Sequence, residues 1–374
     1  MNLKPYNSLS TTEVSFVREV FEYPLSGYLG GELAGGKIIC QLEEEWAAKF
    51  GVKHAIACNS ATSGLLIACM AAGVNHHSTV LTTPYTMSAT AAAPKFLGAD
   101  VVFDDIEAEY FSLHEVRDHR YLDAIVVTNL FGHPGRLEWC REWCDRNDVV
   151  MIEDNAQAPL AMENRSYAGT IGHIGVFSLN VHKHIQCGEG GVCVTNDDNL
   201  ATKMRLALNH GEMAGHRIGL NLRMTEVTAA IALSQLRKID WLVSQRVEIA
   251  KAIIEGLKDL PGIRVPPTRE NCRHVYYCIG LLAESRLQRD RIVDGLTEAG
   301  VPVRRGYLKP LYTLPAFTME GRCPVTEDVE SRMILYENCA WTPTSAQIKE
   351  IHEIFKRVTD NAHRKISTHA HSEG

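Results

Sequence analysis

No apolar run in this sequence approaches the length of a membrane span. The longest, from Leu65 to Val74, is about half of what a bilayer requires. There is no basic block either. The 38 lysines and arginines stand against 45 acidic residues, a formal charge of -7 along 374 residues, which disfavours a nucleic acid as main partner. The opening residues, Met-Asn-Leu-Lys-Pro-Tyr-Asn, lack the apolar stretch of a secretory signal. The expectation is a cytoplasmic protein without membrane contact. No His or Cys pair follows Cys140 and Cys144 at zinc-finger spacing, so no metal site is expected. The 11 cysteines are odd in number and scattered, and Cys58, Cys69, Cys193 and Cys278 lie within apolar runs. Such thiols behave as small buried hydrophobes. Internal repeats are absent.

What is present is an ordinary globular composition, 45% hydrophobic and 22% charged, in a chain long enough for two domains. After an N-terminal segment at 1–40, Leu42, Trp46 and Phe50 share a helical face that Gly51 closes. Strand-like runs then recur at Ala55–Cys58, Thr79–Thr82, Val101–Phe103, Ala124–Thr128, Val149–Ile152, Gly175–Ser178 and Gly191–Thr195. Helical segments separate most of the early ones. This rhythm predicts an α/β fold with a seven-stranded, mostly parallel sheet, in a large domain at 41–244. A long helical stretch from Thr225 to Leu260 is broken once and stopped by Pro261-Gly262. The pattern then changes: a strand at His274–Leu282, a helix Leu287–Ala299 capped by Ser285, and a last helix opened by Thr344 and Gln347. That helix buries Ile348, Ile351, Phe355 and Val358. A small α+β domain is expected at 245–374.

Ligands of an open parallel sheet sit beyond the carboxyl ends of its strands. Asn59-Ser60-Ala61-Thr62-Ser63-Gly64 follows the first strand and opens a helix, which makes it either an anion seat or a plain N-cap. Asp154 follows a later strand. It reads as a carboxylate awaiting a cationic heterocycle or as a solvated loop residue. Lys183 lies between His182 and His184, just before Gly188-Glu189-Gly190-Gly191, as an amine nucleophile or a surface turn. Together a phosphate seat, an aspartate for a ring nitrogen and a lysine for an aldehyde are what pyridoxal 5'-phosphate requires. A dinucleotide suits the chain less well, because no G-x-G-x-x-G follows the first strand.

The segments Asn59–Leu65, Pro84–Thr90, Ile152–Ala158, Ser178–Gly191 and Gly219–Glu226 occur in the order found in the DegT/DnrJ/StrS sugar aminotransferases. Gly300-Val-Pro-Val and Pro310–Phe317 match that family's C-terminal, substrate-side segment. The chain resembles this family over nearly its whole length. The resemblance implies a fold type I (aspartate aminotransferase-like) architecture and pyridoxal 5'-phosphate as cofactor. Lys183 then matches the lysine that binds the cofactor covalently, Asp154 the partner of the pyridine nitrogen, and Gln157 the residue near the ring hydroxyl. Ser178, Ala61 and Thr62 match phosphate ligands. Asn221 matches an asparagine that reaches the phosphate from the other subunit of a homodimer with shared sites. Ser26-Gly27-Tyr28 matches a segment near the substrate entrance.

Two residues depart from the pattern. Met87 stands where an aromatic ring usually stacks on the cofactor, and Ala61 replaces a glycine. The implied reaction moves an amino group from glutamate or glutamine to a keto-sugar, nucleotide-linked or not, or to a keto-cyclitol. A sugar dehydratase of the same fold carries histidine at the lysine position, which this chain does not. A catalytically inactive regulatory module is opposed by the intact Asp154, Gln157 and Lys183.

Overall fold

A computed structural model of the protein describes residues 1–22, 25, 34–117, 121–211, 218–317 and 321–370. The expected entrance segment Ser26-Gly27-Tyr28 lies outside them. Seven strands form the main sheet: β1 His54–Cys58, β2 Thr79–Thr82, β3 Asp100–Phe103, β4 Ala124–Thr128, β5 Val150–Asp154, β6 Ile174–Ser178 and β7 Gly191–Thr195. Their order is β1-β7-β6-β5-β4-β2-β3, parallel throughout except for β7. All seven runs expected from the sequence are strands in one sheet. One end moved with consequence: β5 extends through Asp154, so this carboxylate is the last strand residue and not the first of a loop.

Helix α1 spans Thr11–Val20 and α2 spans Lys37–Phe50. On α2, Leu42, Trp46 and Phe50 are buried, and Gly51 ends the helix at φ 67°. Trp46 and Phe50 stack at 5.3 Å, and Trp46 meets Phe177 of β6 edge-on at 5.4 Å. A fully buried phenylalanine contributes about 1.5–3 kcal/mol, so this trio pins the half of β6 that ends in Ser178. Helix α3, Ala61–Ala71, lies close on the sheet because Gly64 has no side chain. A Cβ there would stand 2.8 Å from Val176 Cγ1.

Further along come α4 Ser88–Phe96, α5 Leu137–Asn147, α6 Asp198–Leu208, α7 Glu226–Arg237 and α8 Ile239–Glu255. The break expected between Thr225 and Leu260 falls at Lys238, and α8 ends earlier than the pattern implied. Cys140 and Cys144 share the buried face of α5.

The C-terminal sheet has four antiparallel strands: β8 Ile263–Arg264, β9 Ile279–Ala283, β10 Val303–Arg305 and β11 Met333–Tyr336, in the order β8-β9-β11-β10. Helices α9, Arg286–Glu298, and α10, Ser345–Ala370, cover it. Ser285 caps α9, and Thr344 with Gln347 opens α10, as the sequence implies. Ile351 and Phe355 are fully buried, whereas Ile348 and Val358 are half-buried at the edge of that core. The strand expected over His274–Leu282 is shorter. Tyr276 adopts φ 52° and the Val275 N–H donates to Gly132 O, so this part of the run packs on the large sheet's loops instead of pairing.

The N-terminal residues touch both cores. Lys4–Pro5 pairs antiparallel with Trp341–Thr342, while Glu13 of α1 accepts from Ser234 and Gln235 of α7 at 2.8 Å and pairs with Lys238. Among the described residues, no helix is long and apolar enough to cross a membrane.

Candidate active site

The carboxyl ends of β1, β4, β5 and β6 open on one cleft of about 340 Å³. It is lined by Ala61, Thr62, Met87, Asp154, Gln157, Ser178 and Lys183 among others, so seven of the eight residues matched to catalysis or cofactor binding meet there. Asn221 does not.

Helix α3 brings its N-terminus to the cleft. Ser60 caps it, accepting from Ser63 N at 3.1 Å, which leaves the first N–H groups, those of Ala61 and Thr62, without intrahelical acceptors. Gly191 makes room for them. It pairs with both Cys58 and Ser178 in the sheet, and a Cβ on it would stand 2.7 Å from Ala61 N. A glycine therefore sets how closely the α3 terminus approaches Ser178. A helix terminus of partial positive charge flanked by hydroxyls has what an anion seat requires.

Alternation along β5 separates two adjacent carboxylates. Glu153 is buried and saturated: it accepts from Gly169 N at 2.6 Å, Gly172 N at 2.6 Å, Ile171 N at 2.8 Å and Asn129 Nδ2 at 3.2 Å. Its role is to hold the loop at 169–172. Asp154 faces the cleft with fewer donors. Thr90 Oγ1 donates to Oδ2 at 2.7 Å and Ala156 N to Oδ1 at 3.2 Å. Burial pushes its carboxyl above the usual range, against these bonds and the nearby Lys183. A buried carboxylate with spare acceptor capacity suits a cationic N–H partner.

Lys183 stands on the loop joining β6 to β7. Asn180 shapes that loop: its carbonyl accepts from Lys183 N at 3.0 Å, its side-chain oxygen from His182 N at 3.2 Å, and its amide donates to Glu189 at 2.8 Å. Gly188, at φ 85°, supplies the reversal. The Lys183 ammonium lies 4.5 Å from the Tyr277 ring centroid. Burial lowers its pKa, opposed by Asp154 and by the Cys278 and Cys339 thiols. A lowered pKa makes an amine more nucleophilic at neutral pH.

Gln157 is fixed at both ends, accepting from Phe131 N at 2.8 Å and donating to Tyr307 OH at 2.9 Å. Met87 is the N-cap residue of α4 and is 50% exposed at the cleft. Tyr85, the nearby aromatic, is buried away from it against Phe131 and Tyr307. Ala61 is the first residue of a right-handed helix, so the change from glycine carries no backbone strain. Asn221 is exposed, and bridges Asn209 in an antiparallel contact. The carbonyl of its neighbour Leu222 accepts from Asn59 N at 2.8 Å, which ties the Asn221 loop to the residue before the α3 cap.

Thr86, Thr90, Thr128, Tyr277 and Tyr307 were not singled out in the sequence. The i,i+4 pair Thr86 and Thr90 at a helix start was a readable signal for two of them. The tyrosines arrive from the C-terminal part of the chain and carry no local signal.

The sequence model of the DegT/DnrJ/EryC1/StrS aminotransferase family matches residues 26–356. A GDP-perosamine synthase of Caulobacter vibrioides is 32% identical over 295 residues, covering 75% of this chain and 79% of that protein. A UDP-4-amino-4,6-dideoxy-N-acetyl-beta-L-altrosamine transaminase of Campylobacter jejuni is 30% identical over 296 residues, covering 75% and 78%. The solved structure of an aminotransferase from Psychrobacter cryohalolentis superposes with a TM-score of 0.88 at 26% identity, covering 97% of this chain and 100% of that one.

Proposed function

The chain belongs to the DegT/DnrJ/EryC1/StrS aminotransferase family, and on that premise we propose that it transfers an amino group from glutamate or glutamine to the keto group of a nucleotide-linked sugar or a cyclitol, in amino-sugar biosynthesis. The observation that carries this reading is the meeting of Lys183, Asp154 and the α3 N-terminus in one cleft. The architecture is that of fold type I aminotransferases.

The residues fit pyridoxal 5'-phosphate. The space kept open by Gly191 exposes the Ala61 and Thr62 N–H groups beside Ser178, and these would hold the phosphate. The spare acceptor capacity of Asp154 would hold the proton of the ring nitrogen. Gln157 would lie near the ring hydroxyl and Met87 against the ring face, where a thioether packs on an aromatic system. When bound, the cofactor supplies an aldehyde that condenses with amines and a ring that takes up negative charge.

Lys183 has two tasks in this reading. Its amine would hold the cofactor's aldehyde. When free, the same amine would take up and deliver the proton that leaves the donor's α-carbon. Burial lowers the pKa of that amine against the pull of Asp154, and the Tyr277 ring lies 4.5 Å from it. The Thr90 hydroxyl favours the ionised form of Asp154 against its burial, and that carboxylate would hold the ring nitrogen's proton.

The exposed Asn221 supports a homodimer in which the partner's Asn221 completes the phosphate site, leaving each monomer's site unfinished. The test is direct. The protein, loaded with pyridoxal phosphate, is given keto-sugar nucleotides and keto-cyclitols with glutamate or glutamine, and products are read by mass. Aminated product with matching 2-oxo acid supports the reading. Dehydration without nitrogen gain, or no reaction with any of them, refutes it.

A further inference from the structure

Tyr6 is 177 positions from Lys183 in sequence, yet it is bonded to the residue beside it. Its hydroxyl donates to the His184 carbonyl at 2.6 Å. The buried His184 ring in turn stands 2.8 Å by Nε2 from the Val275 carbonyl. Backbone and side chain of the residue after Lys183 are thus tied to two distant parts of the chain.

The Tyr6 ring and backbone are themselves held. The Arg246 guanidinium lies 4.2 Å from its centroid, and Arg246 Nη1 donates to Trp341 O at 2.7 Å. Tyr6 N donates to Ala340 O at 2.9 Å, continuing the pairing of Lys4–Pro5 with Trp341–Thr342. Asn338 links this clasp to the other wall of the lysine: its amide donates to Arg246 O at 3.0 Å and to Tyr276 O at 2.7 Å. The next residue, Tyr277, presents its ring to the Lys183 ammonium.

Arg246 is 3% exposed and is held by carbonyls and a ring face. Burying a cation on such partners is costly for stability. An apolar side chain would close the same seam at less cost, which argues that the cation serves to orient Tyr6.

We propose that Tyr6 is a positioning residue for Lys183: clasped by Arg246 and bonded to His184, it holds the lysine loop so that the amine stays against Tyr277 in the cleft. The proposal rests on Lys183 being the amine that the reaction uses. The groups facing that amine are Asp154, the Cys278 and Cys339 thiols and the Tyr277 ring. Of these, the Cys339 thiol also faces Tyr6, and the link that Tyr6→Phe removes is the bond to the lysine loop at His184.

Tyr6→Phe deletes one oxygen. In the cofactor-free full-length protein, acetic anhydride labelling of Lys183 is followed by peptide mass across a pH series. The labelling midpoint is expected to rise toward that of an ordinary lysine, because a loosened loop admits water. In the loaded enzyme kcat is expected to fall about five- to tenfold with the donor KM nearly unchanged, the scale of one lost hydrogen bond. The melting temperature separates this from general loosening: it is expected to stay within a few degrees. A folded Tyr6→Phe protein with the wild-type midpoint and kcat overturns the proposal. If Tyr6→Phe does not fold, Arg246→Lys carries the test, and an unchanged Lys183 midpoint there overturns it equally. Attachment of the cofactor to a different lysine in the wild-type protein would instead defeat the functional reading beneath it.

Discussion

Thr90 donates its hydroxyl to Asp154 Oδ2 at 2.7 Å, and Thr90 Oγ1 lies 2.9 Å from Thr86 Oγ1, which in turn lies 3.0 Å from Thr128 Oγ1. All three threonines are buried. A chain of hydroxyls therefore ends on the carboxylate at the floor of the cleft. With the Ala156 N–H and Lys183, it opposes the burial that pushes Asp154 toward its neutral form.

Thr90→Val keeps the shape and removes the donor. Asp154 is already raised by burial, so the variant raises it further, and cofactor affinity should fail at a higher pH on the acid side than in wild type. At neutral pH the loss should be about tenfold, the scale of a hydrogen bond to a charged group. Stability of the cofactor-free protein runs the other way. The folded carboxyl keeps its proton to higher pH than the unfolded one, so the cofactor-free protein loses stability as pH rises from the ordinary aspartate range into the raised one. Thr90→Val should deepen that loss. Cofactor titrations and melting temperatures across a pH series check both. A profile identical to wild type would remove Thr90 from the account.

Gly191→Ala places a methyl group 2.7 Å from Ala61 N and Ser60 C. Backbone on both sides leaves nothing flexible to yield, so α3 must move away from Ser178. Destabilisation of about 1–3 kcal/mol is expected from overpacking. Pyridoxal phosphate and free inorganic phosphate should both bind more weakly. Unchanged phosphate affinity in a folded variant would show that the α3 terminus is not the seat.

Met87→Phe tests the departure from the family's aromatic. Because Met87 is half exposed, a larger ring should not disturb the core. Cofactor affinity should hold or tighten by about 0.5–1.5 kcal/mol, the range of an aromatic pair. Weaker binding, measured by equilibrium dialysis, would place Met87 off the ring face.

The role of Asn221 is read by dilution and by mixing. As the dimer dissociates, cofactor should be lost over the same concentration range. Mixing Lys183→Ala protein with Asn221→Ala protein should restore some activity, because a mixed dimer assembles one site with both native residues. A monomer that retains cofactor and full activity would contradict shared sites.

Sequence and structure agree where local chemistry decides. The seven strands, the Ser285 cap and the Thr344–Gln347 box are set by period, β-branching and hydroxyl spacing within a few residues. The residues meeting in the cleft were legible as strand-end positions made specific by a family pattern. What escaped was decided at long range. The aromatic run from His274 looks like a strand, but Val275 and Tyr276 are claimed by Gly132, Asn338 and the helix-side packing, and Tyr276 turns to φ 52°. Tyr307 reaches Gln157 across 150 residues, and nothing near it in sequence announces that partner. Glu153 and Asp154 looked alike as neighbours, and only the four donors on Glu153 tell the structural carboxylate from the open one.

The central claim is that Lys183, lowered by burial and set opposite Asp154, is the amine that carries pyridoxal phosphate. Borohydride reduction of the loaded protein fixes the cofactor wherever it is attached, and peptide mass mapping then finds it. The account predicts one phosphopyridoxyl group per chain, on Lys183, and none in Lys183→Ala, which should fold but lose transamination by several orders of magnitude. A label on any other lysine, or full activity in Lys183→Ala, would contradict it.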